Sequence, residues 1–181
     1  SDKSDSFCSR VSMCEQESGR PPSARVYYNE VAEFPVRSLR ELCAAGAIPD
    51  GNVDGRSVED VQAQDLDGFD ICHFFAGIGV WSYALEQAGW PRSGLKTWTA
   101  SLPCQPFSQA GKRGGFGDRR HLWPIFHRLV QQSAPSVIFG EQTAGPNGVA
   151  WLDAVFTDLE NDGYAVAAAD TPAAGFGAPH K

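Results

Sequence analysis

The sequence predicts an α/β fold, a mostly parallel sheet with helices on both faces. Three observations lead there. Short β-rich runs alternate along the chain with amphipathic stretches of helical period. One run, Phe69 to Phe75, is nearly continuously apolar, as a strand buried on both faces requires. Gly77 and Gly79 follow it directly and a helix follows them, the strand, glycine turn and helix with which nucleotide-binding α/β folds begin.

Taken in order, residues 1–24 are polar, contain Pro21-Pro22, and are expected to be a mobile tail in which Cys8 and Cys14 are incidental. Residues 25–181 are expected to form one domain. Arg25 to Tyr28 is a short strand ending at Asn29-Glu30. Pro35 suits a first helical turn, Val36, Leu39, Leu42 and Cys43 form an apolar stripe, and Gly46 suits the cap. Pro49-Asp50-Gly51-Asn52 is turn chemistry, and Ser57 with Asp60 suggests a capping box. After the Phe69–Phe75 strand, a helix runs from about Val80 to Ala88, closed by Gly89. Lys96 to Ala100 is a strand, Leu122 to Gln132 a helix that tolerates Pro124 in its first turn, and Ser136 to Phe139 a strand ending at Gly140-Glu141. Trp151, Leu152, Val155, Phe156 and Leu159 mark a helix ending at Gly163, and Tyr164 to Ala169 is expected to be a last strand.

Composition narrows the function classes. At 181 residues, 42% hydrophobic and 20% charged, the chain is globular and long enough for a real core. No apolar run is long enough to span a bilayer and no signal-peptide pattern opens the chain, so a cytoplasmic protein without a membrane partner is expected. Five scattered cysteines without a CxxC fit a reducing compartment, and no Cys/His set has metal spacing, so no metal is expected. A net charge of −7 argues against a general nucleic-acid coat. Yet Lys112, Arg113, Arg119, Arg120 and Arg128 cluster, a patch suited to a phosphate backbone, whereas Arg56 is the only base between Glu41 and Asp70.

The chemistry centres on Leu102-Pro103-Cys104-Gln105-Pro106-Phe107-Ser108. Two prolines stiffen this loop and push Leu102 and Gln105 into extended backbone, holding the Cys104 thiol at the carboxyl end of a strand. That edge is where open α/β sheets bind ligands. The loop resembles the Pro-Cys-Gln motif of DNA (cytosine-5) methyltransferases. Phe75-Ala76-Gly77-Ile78-Gly79 resembles that family's cofactor loop, Glu141-Gln142-Thr143 its Glu-Asn-Val, Asp118-x-Arg120-x-Leu122 the motif after the cysteine loop, and Gly177-Ala178-Pro179-His180 the start of its Gly-x-Pro-Gln-x-Arg. The wording is most similar to phage-borne members, and the ordered set spans Val26 to Lys181.

The resemblance implies a Rossmann-like, S-adenosylmethionine-dependent methyltransferase fold and a role in DNA methylation of the restriction-modification kind, on double-stranded DNA. Cys104 matches the nucleophile that adds to carbon 6 of a flipped-out cytosine. Glu141, at the end of an apolar strand where desolvation would raise its pKa, matches the acid at the base; Gln105 of the Pro-Cys-Gln motif belongs to the same catalytic set, and Arg120 helps order the loop. Phe75, Ala76, Gly77, Ile78, Gly79, Trp81 and Ser101 would hold the methionine end of S-adenosylmethionine. Leu122 would line the adenine pocket. Val80 stands where the family has glycine and His73 where an acid is common.

Only Trp90 to Leu102 separate the cofactor loop from the cysteine loop, too little for the family's second and third motifs. Upstream, Val26-Tyr27-Tyr28-Asn29-Glu30 resembles the second, which puts Glu30 on the ribose with Val31 beside it. Gly51-Asn52-Val53 resembles the third, which puts Asn52 and Val53 at the adenine. A circularly permuted chain is therefore expected, with Val26–Tyr28 parallel to and beside Ile71–Phe75. Lys181 comes before the expected arginines, so a C-terminally truncated catalytic domain is expected, its target-recognition domain supplied by a missing segment or a second chain. Two other readings stay open: a non-catalytic cofactor- or DNA-binding subunit, and an unrelated nucleotide-binding oxidoreductase.

Overall fold

The computed structural model describes residues 24–90, 94–102, 122–142 and 146–178, with backbone alone for 146 and 147. Among the described residues five strands form one parallel sheet: β1 (Val26–Asn29), β2 (Gly51–Asp54), β3 (Ile71–Phe74), β4 (Thr97–Ala100) and β5 (Val137–Gly140), in the order β2-β1-β3-β4-β5. Four α-helices of the described residues accompany them: α1 (Glu33–Ala44), α2 (Val80–Gln87), α3 (Trp123–Ser133) and α4 (Pro146–Asn161). The expected neighbours, the Val26 strand and the Ile71 strand, pair in parallel, Asn29 opposite Phe74.

Strand residues alternate between two cores. Val26, Tyr28 and Ile71 face Leu39 of α1 and Ile48 of the connection that follows it. Tyr27, Cys72, Phe74, Trp98 and Ala100 face α3 and α4 through Phe126, Leu129, Trp151 and Val155. β1, β3 and β4 are buried along their whole length, as strands covered on both faces must be. α1 ends where Gly46 takes φ +67°, and α3 carries its proline in the first turn.

Three expectations are corrected. Gly51 does not sit in a turn but begins β2 opposite Val26, and it is glycine for space: a Cβ there would lie 2.5 Å from the Val26 carbonyl oxygen and 2.8 Å from the Tyr28 ring. Tyr164 to Ala169 forms no strand. Its alanines have low β-propensity and offer little to pack across a ladder. Instead it lines a cavity of about 440 Å³ with Val137 and Ile138 of β5. The capping box belongs to Gln62 and Asp65; Ser57 accepts only a 3.4 Å bond from the Glu59 N–H.

The connections differ in hand. β1–α1–β2 steps toward one edge of the sheet, and β3–α2–β4 steps the opposite way. Yet α2 lies over the same face as α1, since Ser82 bonds the Tyr28 hydroxyl and Trp81 stacks on Phe139. Those two crossovers are therefore of opposite hand. β4–α3–β5 steps as β3–α2–β4 does, but over the other face, and so does the 55–70 connection through Val58, Val61 and Leu66. Three connections share one hand and the α2 crossover alone departs, against the strong single-handedness of such units.

Candidate active site at the carboxyl edge

The last rung of the sheet aligns Asp54, Asn29, Phe74, Ala100 and Gly140. The segments leaving it bring the candidate residues to one edge. Glu30 leaves β1, Phe75 to Gly79 leave β3, Ser101 and Leu102 leave β4, and Glu141 leaves β5. Backbone bonds continue the sheet past this rung: Ala76 N–H donates to Asn29 O (3.0 Å), Ser101 N–H to Phe74 O (3.4 Å) and Glu141 N–H to Ala100 O (3.2 Å).

Glu30 and the glycine loop meet directly. Glu30 Oε2 accepts from the Gly77 N–H at 2.9 Å, and Oε1 accepts from the Ala32 N–H at 2.9 Å. Phe75 itself has φ +53°, a conformation costly for a residue with a side chain and typical of functional turns. Gly77 (φ +55°) faces open space, for a Cβ there would meet nothing within 4 Å. Gly79 (φ +80°) is packed, for a Cβ there would lie 2.9 Å from Ile48 Cδ1. Val31, Phe34, Ile78 and Val80 leave apolar side chains exposed beside this contact.

The sulfonium cofactor that the resemblance implies fits these residues. The glycine loop is open at Gly77, α2 begins without a side-chain cap, a carboxylate stands at the neighbouring strand end, and apolar side chains flank it. Trp81 is tied to the β4 exit: its Nε1–H donates to Ser101 Oγ at 3.0 Å while its ring stacks on Phe139 at 5.9 Å. Leu122 and Phe75 pack against the same core, which includes Leu102.

His73 lies one residue below the rung, 1% exposed, its Nδ1 2.8 Å from Thr99 Oγ1 and its ring stacked on Tyr28 at 5.2 Å. Nε2 is buried without a partner, and burial pulls the imidazole down to about 4, so it is neutral at pH 7. Burial pushes the Cys72 thiol up to about 12, so Cys72 is an inert core group.

Other candidates are placed differently from expectation. Glu141 is exposed rather than desolvated at the end of an apolar strand, because β5 is itself only partly covered. Glu141, Gln142 and Leu102 line the same cavity, which brings the expected acid to the side of the β4 exit. Asn52 is exposed and lies opposite Tyr27, two rungs below the edge; Asp54 occupies the edge, and Val53 packs beside Tyr28. Arg128 is no phosphate cation, since it is half-buried and donates to the Val61 carbonyl at 3.1 Å. His127 is a helix-face residue, paired with Asp162 at 2.6 Å. Cys104, Gln105, Asp118, Arg120, Thr143 and the other expected bases, Lys112, Arg113 and Arg119, lie outside the described residues, as do Pro179 to Lys181.

Sequence reasoning passed over the clasp beneath Glu30. Asp54 accepts from the Tyr27 hydroxyl (2.7 Å) and from Arg56, which also reaches Asp65. Asn29, 2% exposed, donates its Nδ2–H to Arg56 O at 2.9 Å. The signal was an amide at the end of a buried strand, where only a partnered polar group is tolerated. Among the described residues no three His, Cys, Asp or Glu side chains group to hold a metal, and no helix is long and apolar enough to cross a membrane.

A parallel sheet with a glycine turn leaving a central strand and an acid at the adjoining strand end defines a Rossmann-like α/β fold with its ligand edge at the strands' carboxyl ends. The family model for C-5 cytosine-specific DNA methylases matches residues 91–181, half of the chain, and the chain belongs to that family. It is 37% identical over 82 residues to the Type II methyltransferase M.NgoFVII of Neisseria gonorrhoeae, covering 43% of this chain and 22% of that protein. It is 35% identical over 68 residues to M.NgoMIV of the same organism (38% and 20% covered) and 34% identical over 84 residues to M.BanI of Aneurinibacillus aneurinilyticus (44% and 20%). The matched stretch is thus about a fifth of the length of these relatives.

Proposed function

We propose that this chain is the catalytic region of a DNA (cytosine-5) methyltransferase that methylates carbon 5 of a flipped-out cytosine in double-stranded DNA. The observation that carries the reading is the meeting, on one rung, of the Glu30–Gly77 contact, the β4 exit leading into Pro103-Cys104-Gln105, and Glu141. When bound, S-adenosylmethionine supplies an electrophilic methyl group. The chain's own residues do the rest. Glu30 accepts from the ribose hydroxyls beside Val31, with Leu122 toward the adenine. Gly77 lets the backbone approach the methionine end, while Gly79 lets the turn pack on Ile48 and Leu39. The Cys104 thiolate adds to carbon 6 and makes carbon 5 nucleophilic; Glu141 holds a proton at N3, Gln105 belongs to the same catalytic set, and Arg120 helps order the loop. In this reading the protein acts as a modification methyltransferase like its Type II relatives.

The permuted motif order has topological support. From β3, a crossover of the common hand over the face that carries α2 would lead to β1, not to β4. α2 thus lies where it would if β1 followed it in the chain, as the second motif follows the first elsewhere in the family.

The test is covalent trapping on DNA containing 5-fluorocytosine, whose fluorine cannot leave as a proton does, in a protein carrying these residues together with a target-recognition domain. Trapping should require Cys104 and survive Cys72→Ser. Adducts that persist in Cys104→Ser would remove Cys104 from the nucleophile's role.

A further inference from the structure

We infer that Glu30, beyond the ribose role proposed above, is a latch that holds the glycine loop in its binding shape. The inference rests on the cofactor reading above and extends it to the methionine end. Glu30 and Gly77 are 47 residues apart, yet the carboxylate takes the Gly77 N–H at 2.9 Å. Its other oxygen takes the Ala32 N–H, so both oxygens are held by main chain at the same time. The Glu30 backbone is pinned as well. Its N–H donates to Asp54 O at 3.1 Å, and the preceding Asn29 is clasped through Nδ2 to Arg56 O and through its carbonyl to the Ala76 N–H. The side chain therefore leaves a fixed base and reaches the loop at Gly77, where φ +55° and open space around the Cα leave that residue without packing of its own, between the packed Phe75 and Gly79.

An ionised carboxylate has about four lone-pair directions, of which two are used here. The remaining two can receive a diol without releasing Gly77. Holding the loop before the ligand arrives removes an ordering cost from binding at the methionine end. Glu30 is then a positioning residue for atoms it does not touch, and its loss should weaken even a ligand that has no ribose hydroxyls.

Two measurements on the 181-residue chain test this. In the ligand-free protein, amide hydrogen exchange at Gly77 should accelerate at least about tenfold in Glu30→Ala, as loss of a charge-assisted bond implies, while Tyr28 and His73 amides stay protected. Equal Gly77 exchange in wild type and Glu30→Ala would overturn the latch. Calorimetry then compares S-adenosylhomocysteine with its 2′,3′-dideoxy analogue. Glu30→Ala should weaken the dideoxy analogue about tenfold as well, with part of the loss recovered in Glu30→Gln, whose amide oxygen accepts one N–H. Equal binding of that analogue by wild type and Glu30→Ala would show that Glu30 serves the ribose alone and would overturn the inference. Failure of wild type to bind either compound would overturn the cofactor reading, and the exchange result would still decide the latch.

Discussion

Acidification should loosen this fold through one buried imidazole. His73 sits beneath the ligand edge, 1% exposed, between Tyr28 and Thr99, with Nε2 unpartnered. Burial lowers its pKa from 6.5 to about 4. The folded state therefore holds the neutral ring while the unfolded chain takes up a proton below pH 6.5. Protons bound on unfolding make stability rise with pH between about 4 and 6.5, so stability is complete above 6.5 and lost as pH falls toward 4. A shift from 6.5 to about 4 corresponds to roughly 3 kcal/mol in full, of which about 2 kcal/mol is lost by pH 5. With a urea slope of about 2 kcal/mol/M, that is a midpoint lower by about 1 M at pH 5 than at pH 8. Carboxylates held below their usual range, such as Asp54 at about 2, lose their contribution only below about 3.8, outside this window. The assay is urea unfolding at half-unit pH steps for wild type and His73→Gln. The variant should lack most of the slope between pH 6.5 and 4.5. A wild-type midpoint flat across that window, or an equal slope in the variant, would refute the assignment to His73.

Two further substitutions separate packing from ligand space. Gly79→Ala should cost about 2–4 kcal/mol, since it adds left-handed strain to a Cβ 2.9 Å from Ile48 Cδ1. Gly77→Ala should cost only the strain, about 1–2 kcal/mol, because its Cβ meets nothing, yet it should weaken S-adenosylhomocysteine strongly; chemical unfolding and calorimetry on both variants check the contrast. Trp81→Phe keeps the stack on Phe139 and removes the bond to Ser101, for a loss of about 1 kcal/mol. A double-mutant cycle with Ser101→Ala should show the two losses overlapping, and simple additivity would mean that the bond contributes nothing.

Much of the fold was legible because local chemistry and tertiary need agree along most of the chain. The apolar run at Phe69–Phe75 could only be a strand covered on both faces, and Gly46, Pro124 and Gly89 mark helix ends for reasons internal to the backbone. The adjacency of the Val26 and Ile71 strands was also legible, since motif order together with crossover length leaves few topologies. What local chemistry could not decide depends on residues far apart in the chain. Gly51 looks like a turn residue until the Tyr28 ring and the Val26 carbonyl close over it. Tyr164 to Ala169 looks like a strand, yet only Tyr164 and Val166 pack on the core and the alanines stay exposed, so no ladder forms. The desolvation expected at Glu141 depended on how fully β5 is covered, and β5 is only partly covered. The chain by itself determined which chemical groups gather at the strand ends. Only the tertiary structure decided that the Glu30 carboxylate closes on Gly77, because a hydrogen bond across 47 residues depends on sheet register and has no local signature.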